Sequence, residues 1–200
     1  MTETHIGRLL AACLHQSILD VLPQRIDFYE NWLKSEGLRD GTIGLAPITA
    51  VLGFLRTEGA AHDAVMSRAG SLAADWTVES LPRFRRRTIA WLPRPLRVRA
   101  ALRLSGDIVR SIYSASRASV KVRRNNARVE VRDSLFCSVR EARELPLCAF
   151  YVAVAVVTLR HFGIAAQATV EQCRAVSGGT CVITLALTDA VAEPAPAIAA

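Results

Sequence analysis

No hydrophobic run in this sequence is long enough to cross a bilayer. The longest uncharged apolar stretch, Leu145 to Leu159, has 15 residues, against about 20 for a spanning helix. The opening Met1-Thr2-Glu3-Thr4-His5 has no basic n-region, and neither a long apolar run nor a small-residue cleavage site follows it. The expected location is the cytoplasm. GxGxxG, Walker and GxSxG motifs are all missing, which leaves nucleotide-dependent chemistry without support. The four histidines, His5, His15, His62 and His161, form no HxxxH or HExxH pair. Lysine is scarce too: of 25 basic residues only Lys34 and Lys121 are lysine.

What is present is enough for a large core. The 200 residues are 51% hydrophobic and 22% charged, and the mean hydropathy is +0.24, the composition of a globular chain. The formal charge of +7 is unevenly spread. Residues 80 to 132 hold 15 Lys and Arg against Asp107 and Glu130 alone, so the rest of the chain is net acidic. Such a segment steers phosphates, acidic lipid headgroups or an acidic partner, or it is a solvated face that pairs with the acidic remainder.

Apolar spacing divides the chain in two. Ile6 to Leu22, Ile26 to Leu33, Ile48 to Leu55, Ala60 to Trp76, Pro82 to Trp91 and Leu96 to Ile112 read as helices, with Leu38 to Gly44 a turn and Pro93 and Pro95 bracketing a break. Alternation then takes over. Val120 and Val122, then Val129 and Val131, flank a turn at Asn125-Asn126 and predict a β-hairpin. Pro146 fits the first turn of a buried helix that runs to about His161, with Gly163 at C′. A second strand pair runs from Ala168 to Cys173 and from Thr180 to Leu187, turning at Ser177-Gly178-Gly179, and residues 190 to 200 read as a loose tail.

Five cysteines, Cys13, Cys137, Cys148, Cys173 and Cys181, are expected to be reduced in a cytosolic chain, packed as small hydrophobes unless a ligand claims them. With a loop at Val176-Ser177-Gly178, Cys173 faces Cys181 across the hairpin, within reach of one ion. Cys148, at the N-terminus of the buried helix, is placed to supply a third thiolate. Burial and metal ligation both remain open on spacing alone.

The tracts Ser134-Leu135-Phe136-Cys137, Leu147-Cys148-Ala149-Phe150-Tyr151, Val170-Glu171-Gln172-Cys173-Arg174-Ala175 and Gly178-Gly179-Thr180-Cys181-Val182-Ile183 resemble, in this order, the 4-vinyl reductase (hydrocarbon-binding) domain. The likeness covers about residues 96 to 188. It implies a TRAPP-like, nitric-oxide-sensor-like ligand-binding fold for that stretch. Joined to the helical spacing of the first half, it gives an expected α+β chain: a helix-rich N-terminal region (1–95) packed with a short antiparallel sheet (96–188), then a flexible tail (189–200), forming one structural unit. Relatives of this kind include aromatic-sensing input domains, a protein associated with bacteriochlorophyll synthesis, and stand-alone proteins. In the aromatic sensors three cysteines and an upstream glutamate hold a structural zinc, and the cysteine positions match Cys148, Cys173 and Cys181. For the fourth ligand Glu130, Glu141, Glu144 and Cys137 are the available residues.

These readings converge on a non-enzymatic protein that binds a small hydrophobic or aromatic molecule, a sensor or carrier, with Phe136, Phe150 and Tyr151 as pocket wall and zinc as the metal. An accessory or carrier role for a tetrapyrrole is the alternative. A second alternative is an Arg-rich binder of nucleic acid or of an anionic surface or partner, an acidic protein included, acting through Arg83 to Arg132, with nucleic acid the less favoured partner. Trp76, Phe84, Trp91 and Tyr113 interleave with the arginines, which suits base stacking, although such aromatics more commonly fasten helices to a sheet or line an apolar cavity. A homodimer through the N-terminal helices is expected.

Overall fold

Proline and glycine cut the helical first half into pieces at the positions where helix starts and stops are expected. The structure is a computed structural model that describes residues 6–33, 44–139 and 141–189. Helix α1 (Arg8–Val21) buries Leu10, Cys13, Leu14 and Ile18. Pro23 opens a 3-10 turn (Pro23–Arg25) that leads into α2 (Ile26–Leu33). Then come α3 (Leu45–Leu55), α4 (Ala60–Ser80), α5 (Arg83–Trp91) and α6 (Arg94–Ile112). Helix α6 starts two residues before the expected Leu96, because Pro95 in its first turn sacrifices no helical hydrogen bond. The expected turn over 38–44 lies outside the described residues except for Gly44, and the expected tail over 190–200 lies outside them entirely.

The second half is the expected small antiparallel sheet. Strands β1 (Arg117–Arg123), β2 (Asn126–Arg132), β3 (Ile164–Gln172) and β4 (Cys181–Asp189) lie in the order β1-β2-β4-β3. Val120, Val129, Ile183 and Val170 stand side by side across it on one face, which packs against α6 and the helix α7 (Ala149–His161). This apolar register sets the hairpin turn. Arg123 pairs with Asn126, so the two turn residues are Arg124 and Asn125, one position earlier than the expected Asn125-Asn126, and Arg124 takes a positive φ of 46°.

Helix α7 is apolar all round because it is enclosed all round: α4 lies against it on one side, β3 and α6 on others. It begins at Ala149 with Cys148 as its N-cap, later than Pro146 suggested. Gly163 does occupy C′, with φ 70° and its N–H donated to Arg160 O at 3.0 Å. The second hairpin differs more. A bulge falls at Glu171, between the pairs Val170–Ile183 and Gln172–Val182, and one turn of helix, α8 (Arg174–Ser177), replaces the three-residue loop. Cys173 therefore stands just beyond the last β3–β4 pair, and Cys181 sits opposite Val131 of β2.

One continuous hydrophobic core runs from Ile6 to Leu187, and α4 and α7 approach each other closely within it. A Cβ on Gly70 would lie 2.4 Å from the carbonyl oxygen of Phe150 and 2.9 Å from Ala153 Cβ. Gly70→Ala is expected to destabilise the protein by about 1–3 kcal/mol through overpacking, despite a helix-propensity gain of about 1 kcal/mol. Urea unfolding checks this, and a midpoint at or above that of the parent would show that the two helices part freely.

Candidate metal centre

Four cysteines converge where the loop after β2, the start of α7, the turn α8 and the start of β4 meet. Each arrives by a different local device. The N–H of Cys137 donates to Ser134 Oγ at 3.1 Å, closing a serine turn that carries Cys137 inward from the end of β2. Cys148 is the N-cap of α7 and Cys173 that of α8, while Cys181 is the first residue of β4. All four are buried, none more than 3% exposed.

Their sulfurs all lie within 4.8 Å of one another. Cys137 Sγ is 3.6 Å from Cys148 Sγ and 3.6 Å from Cys173 Sγ. A tetrahedral ion with metal–sulfur bonds of about 2.3 Å holds its sulfurs about 3.8 Å apart. The set therefore fits a single ion, and a multi-iron cluster would need wider spacing. Four soft sulfur donors suit zinc or iron, and not the oxygen-seeking calcium or magnesium.

Backbone groups already serve these sulfurs. The Leu147 N–H donates to Cys173 Sγ at 3.3 Å, and the Cys137 thiol donates to Leu147 O at 3.4 Å. The Leu147 N–H contact is of the kind that orients a metal ligand, whereas ligation would take the proton that Cys137 shares with Leu147 O. The loop behind them is tied twice more: Arg56 Nη2 donates to Phe136 O at 2.9 Å, and Arg143 N–H donates to Ala175 O at 2.7 Å. The thiols share their hydrogen bonds unequally. The Cys148 thiol is pushed up, foremost by the hydrogen bond it shares with Cys137 and then by Cys173, Cys181 and burial. The Cys173 thiol is pulled down, foremost by hydrogen bonding with Cys137 and with Cys148. Cys13, apart on α1, is pushed up to about 12 by burial alone and belongs to the core.

Cys148, Cys173 and Cys181 are thus brought together, and Cys137 rather than Glu130 stands fourth. Glu130 lies on the outer face of the sheet, where its carboxylate accepts from Arg132 Nε at 3.0 Å. The period-2 pattern already carried this signal: with Val129 and Val131 facing the core, Glu130 must face away. Glu141 and Glu144 are exposed in the loop. The described histidines are also engaged elsewhere, His15 with Glu30, His62 with Asp63 and His161 with Asp75.

Phe136, Phe150 and Tyr151 form a packed aromatic cluster beside the cysteines. Ring centroids are 4.5 Å apart for Phe136 and Phe150, 5.2 Å for Phe136 and Tyr151, and 5.8 Å for Phe150 and Tyr151. Burial pushes the Tyr151 phenol up, opposed by hydrogen bonding with Ser134 and Ser116. These three rings, expected as pocket wall, pack on one another. A groove of about 690 Å³ beside Leu147, the residue before Cys148, is lined by Arg56, Ala60, His62, Asp63, Leu145 and Leu147 among others.

Comparison with solved structures places the fold. The chain is similar to an Fe(II) unliganded H-NOX protein from K. algicida, with a TM-score of 0.62 and 13% identity over 92% of this chain and 97% of that one. It is similar to a triple mutant of an S. oneidensis H-NOX protein in the Fe(II) ligation state, with a TM-score of 0.56 and 10% identity over 94% and 98% of the two chains. A trafficking protein particle complex subunit 3 from Naegleria fowleri, covalently bound to palmitic acid, is a looser match, with a TM-score of 0.44 and 12% identity over 73% and 96% of the two chains. At these identities the H-NOX likeness establishes a shared α+β fold. No protein-family model matches the sequence, and no curated protein is similar to it.

Proposed function

We propose that this chain is a non-enzymatic small-molecule-binding protein of the 4-vinyl reductase type, a sensor or carrier, whose C-terminal half is stapled by one zinc ion on Cys137, Cys148, Cys173 and Cys181. The observation that carries this reading is the mutual approach of four buried sulfurs at tetrahedral spacing. A closed four-sulfur set is structural, since every coordination position is taken by protein and none is left for a substrate. Zinc would supply a crosslink there, and the residues of this chain supply the rest. The centre fixes the loop that carries Phe136, the start of α7 with Phe150 and Tyr151, and the hairpin of β3 and β4 relative to one another. A hydrophobic ligand enters by the groove beside Leu147, where Leu145, Leu147 and Ala60 provide apolar wall and Arg56 and His62 polar anchors.

Elemental analysis of freshly purified protein tests the metal, and native mass spectrometry of the same sample tests the ligand. About one zinc per chain is expected, with a retained apolar small molecule. Protein with no zinc, and with a melting temperature indifferent to a strong chelator, would end the metal claim. Repeated absence of any retained or titratable apolar ligand would end the binding claim.

A further inference from the structure

Helix α5 buries none of its nine residues. It carries Arg83, Arg85, Arg86 and Arg87, and the sequence has no acidic residue between Glu79 and Asp107. Arginines elsewhere, among them Arg25, Arg68, Arg110, Arg128, Arg132 and Arg174, form ion pairs, and none of the four on α5 does so with the described residues. Phe84 and Trp91 stand seven positions apart, two turns of a 3.6-residue helix, so they share a side. Both project into solvent, Phe84 73% and Trp91 87% exposed. The expectation that aromatics among the arginines fasten helices to the sheet fails at these two positions. Ile89, on the other side of the helix, is what packs against the core.

More positive charge gathers at this end. Arg97 Nη1 donates to Ala90 O at 3.1 Å and holds the end of α5 against α6. Arg94 Nη1 donates to Asn125 Oδ1 at 3.0 Å and Arg94 Nη2 to Leu187 O at 3.2 Å. That contact brings the β1–β2 turn, with exposed Arg123 and Arg124, to the same end of the molecule.

We propose that this end docks peripherally on an anionic lipid bilayer, with Phe84 and Trp91 entering the interface and the surrounding arginines on the headgroup phosphates. Amphipathic basic helices with Trp and Phe lie in the bilayer interface in this way. Charge complementarity selects an anionic partner, and the two protruding rings select among anionic partners. A convex helix offers no groove to follow a single-stranded backbone, and the polar base edges of a duplex groove give two protruding apolar rings little to bury against. An acidic protein would need a pocket shaped for each ring, whereas the interface takes both rings without shape matching. The docking is peripheral, since among the described residues no helix is long and apolar enough to cross a membrane.

The test is co-sedimentation of the full chain with phosphatidylcholine vesicles, with and without phosphatidylserine, over a salt series. Binding is expected only with phosphatidylserine and should weaken as salt rises. Arg85→Ala with Arg87→Ala should lower partitioning about 25-fold, near fivefold per arginine. Trp91→Ala should lower it about tenfold through lost apolar burial. Because α5 buries nothing, these variants should melt with the parent. With Trp32→Phe and Trp76→Phe in place, the emission of Trp91 should shift to the blue on vesicle addition. No vesicle binding at low salt overturns the proposal. So does binding that responds to the arginines but not to Phe84 or Trp91, or equal retention on an oligonucleotide or on polyglutamate without a blue shift, which would mark a partner in solution.

Discussion

Cys173→Ser is expected to abolish metal retention and leave the C-terminal half without fixed tertiary structure, with the loss of binding free energy on the order of 10 kcal/mol. That is comparable with the whole stability of a typical domain, about 5–15 kcal/mol, so the variant should lose its cooperative transition and not merely shift it. A strong chelator added to the parent protein should have the same effect. The contrast is with four thiols that only pack. In that case a hydroxyl at position 173 would forgo a few sulfur contacts and the Leu147 N–H partner, costing about 1–3 kcal/mol, and the chelator would do nothing. Cys13→Ser is the internal control, since Cys13 is buried on α1 away from the other sulfurs. It should cost about 1–3 kcal/mol by the packing argument and leave zinc content unchanged. Near-UV circular dichroism with metal analysis on the three proteins separates the outcomes, and a cooperative, chelator-insensitive Cys173→Ser protein would sink the metal reading.

Phe150→Ala should be the most damaging substitution outside the cysteines, at about 3–5 kcal/mol. The side chain is fully buried, its ring lies 4.5 Å from that of Phe136 and 5.8 Å from that of Tyr151, and its own carbonyl is the group that Gly70 approaches. The site can collapse little, because α4 and α7 are already at closest approach and cannot move inward to fill the hole. A shift in the denaturant midpoint measures the loss. An apolar hole of this kind stays dry and takes up small aromatic molecules, so added benzene should recover part of the stability. A cost under about 1 kcal/mol would show that the cluster is loosely held.

The alternation of Val120, Val122, Val129 and Val131 was legible as a hairpin because a one-residue slip would turn every valine outward. Helix α7 was legible because an apolar surface on every side has only one resting place. Spacing also brought Cys173 near Cys181, although by a different route from the one observed. The one-residue bulge at Glu171 and the turn α8 together replace the three-residue loop, and neither has a period for a sequence to display. The turn at Arg124-Asn125 escaped for a related reason, since asparagine-rich dipeptides suggest the turn while the register of the valines decides it. Cys137 was harder to rank against Glu130, because its arrival depends on one hydrogen bond from its N–H to Ser134 Oγ. Least legible was the posture of Phe84 and Trp91, since an aromatic pattern gives no sign of whether a neighbouring surface exists to receive it.

The centre draws its ligands from β2's end, α7, α8 and β4, and this bears on the order in which the molecule assembles. Cys173 and Cys181 meet across one hairpin turn, while Cys137 and Cys148 lie on segments before α7, so no short segment can build the whole cluster in advance. Chain closure over tens of residues must come first, and contacts that depend on such closure form late and slowly. The helices of the first half, rich in local contacts, are expected to form early, and the convergence of the cysteines closes the sequence of events. An ion bound there would act as a final latch, slowing unfolding far more than it speeds folding, as interactions absent from the transition state do.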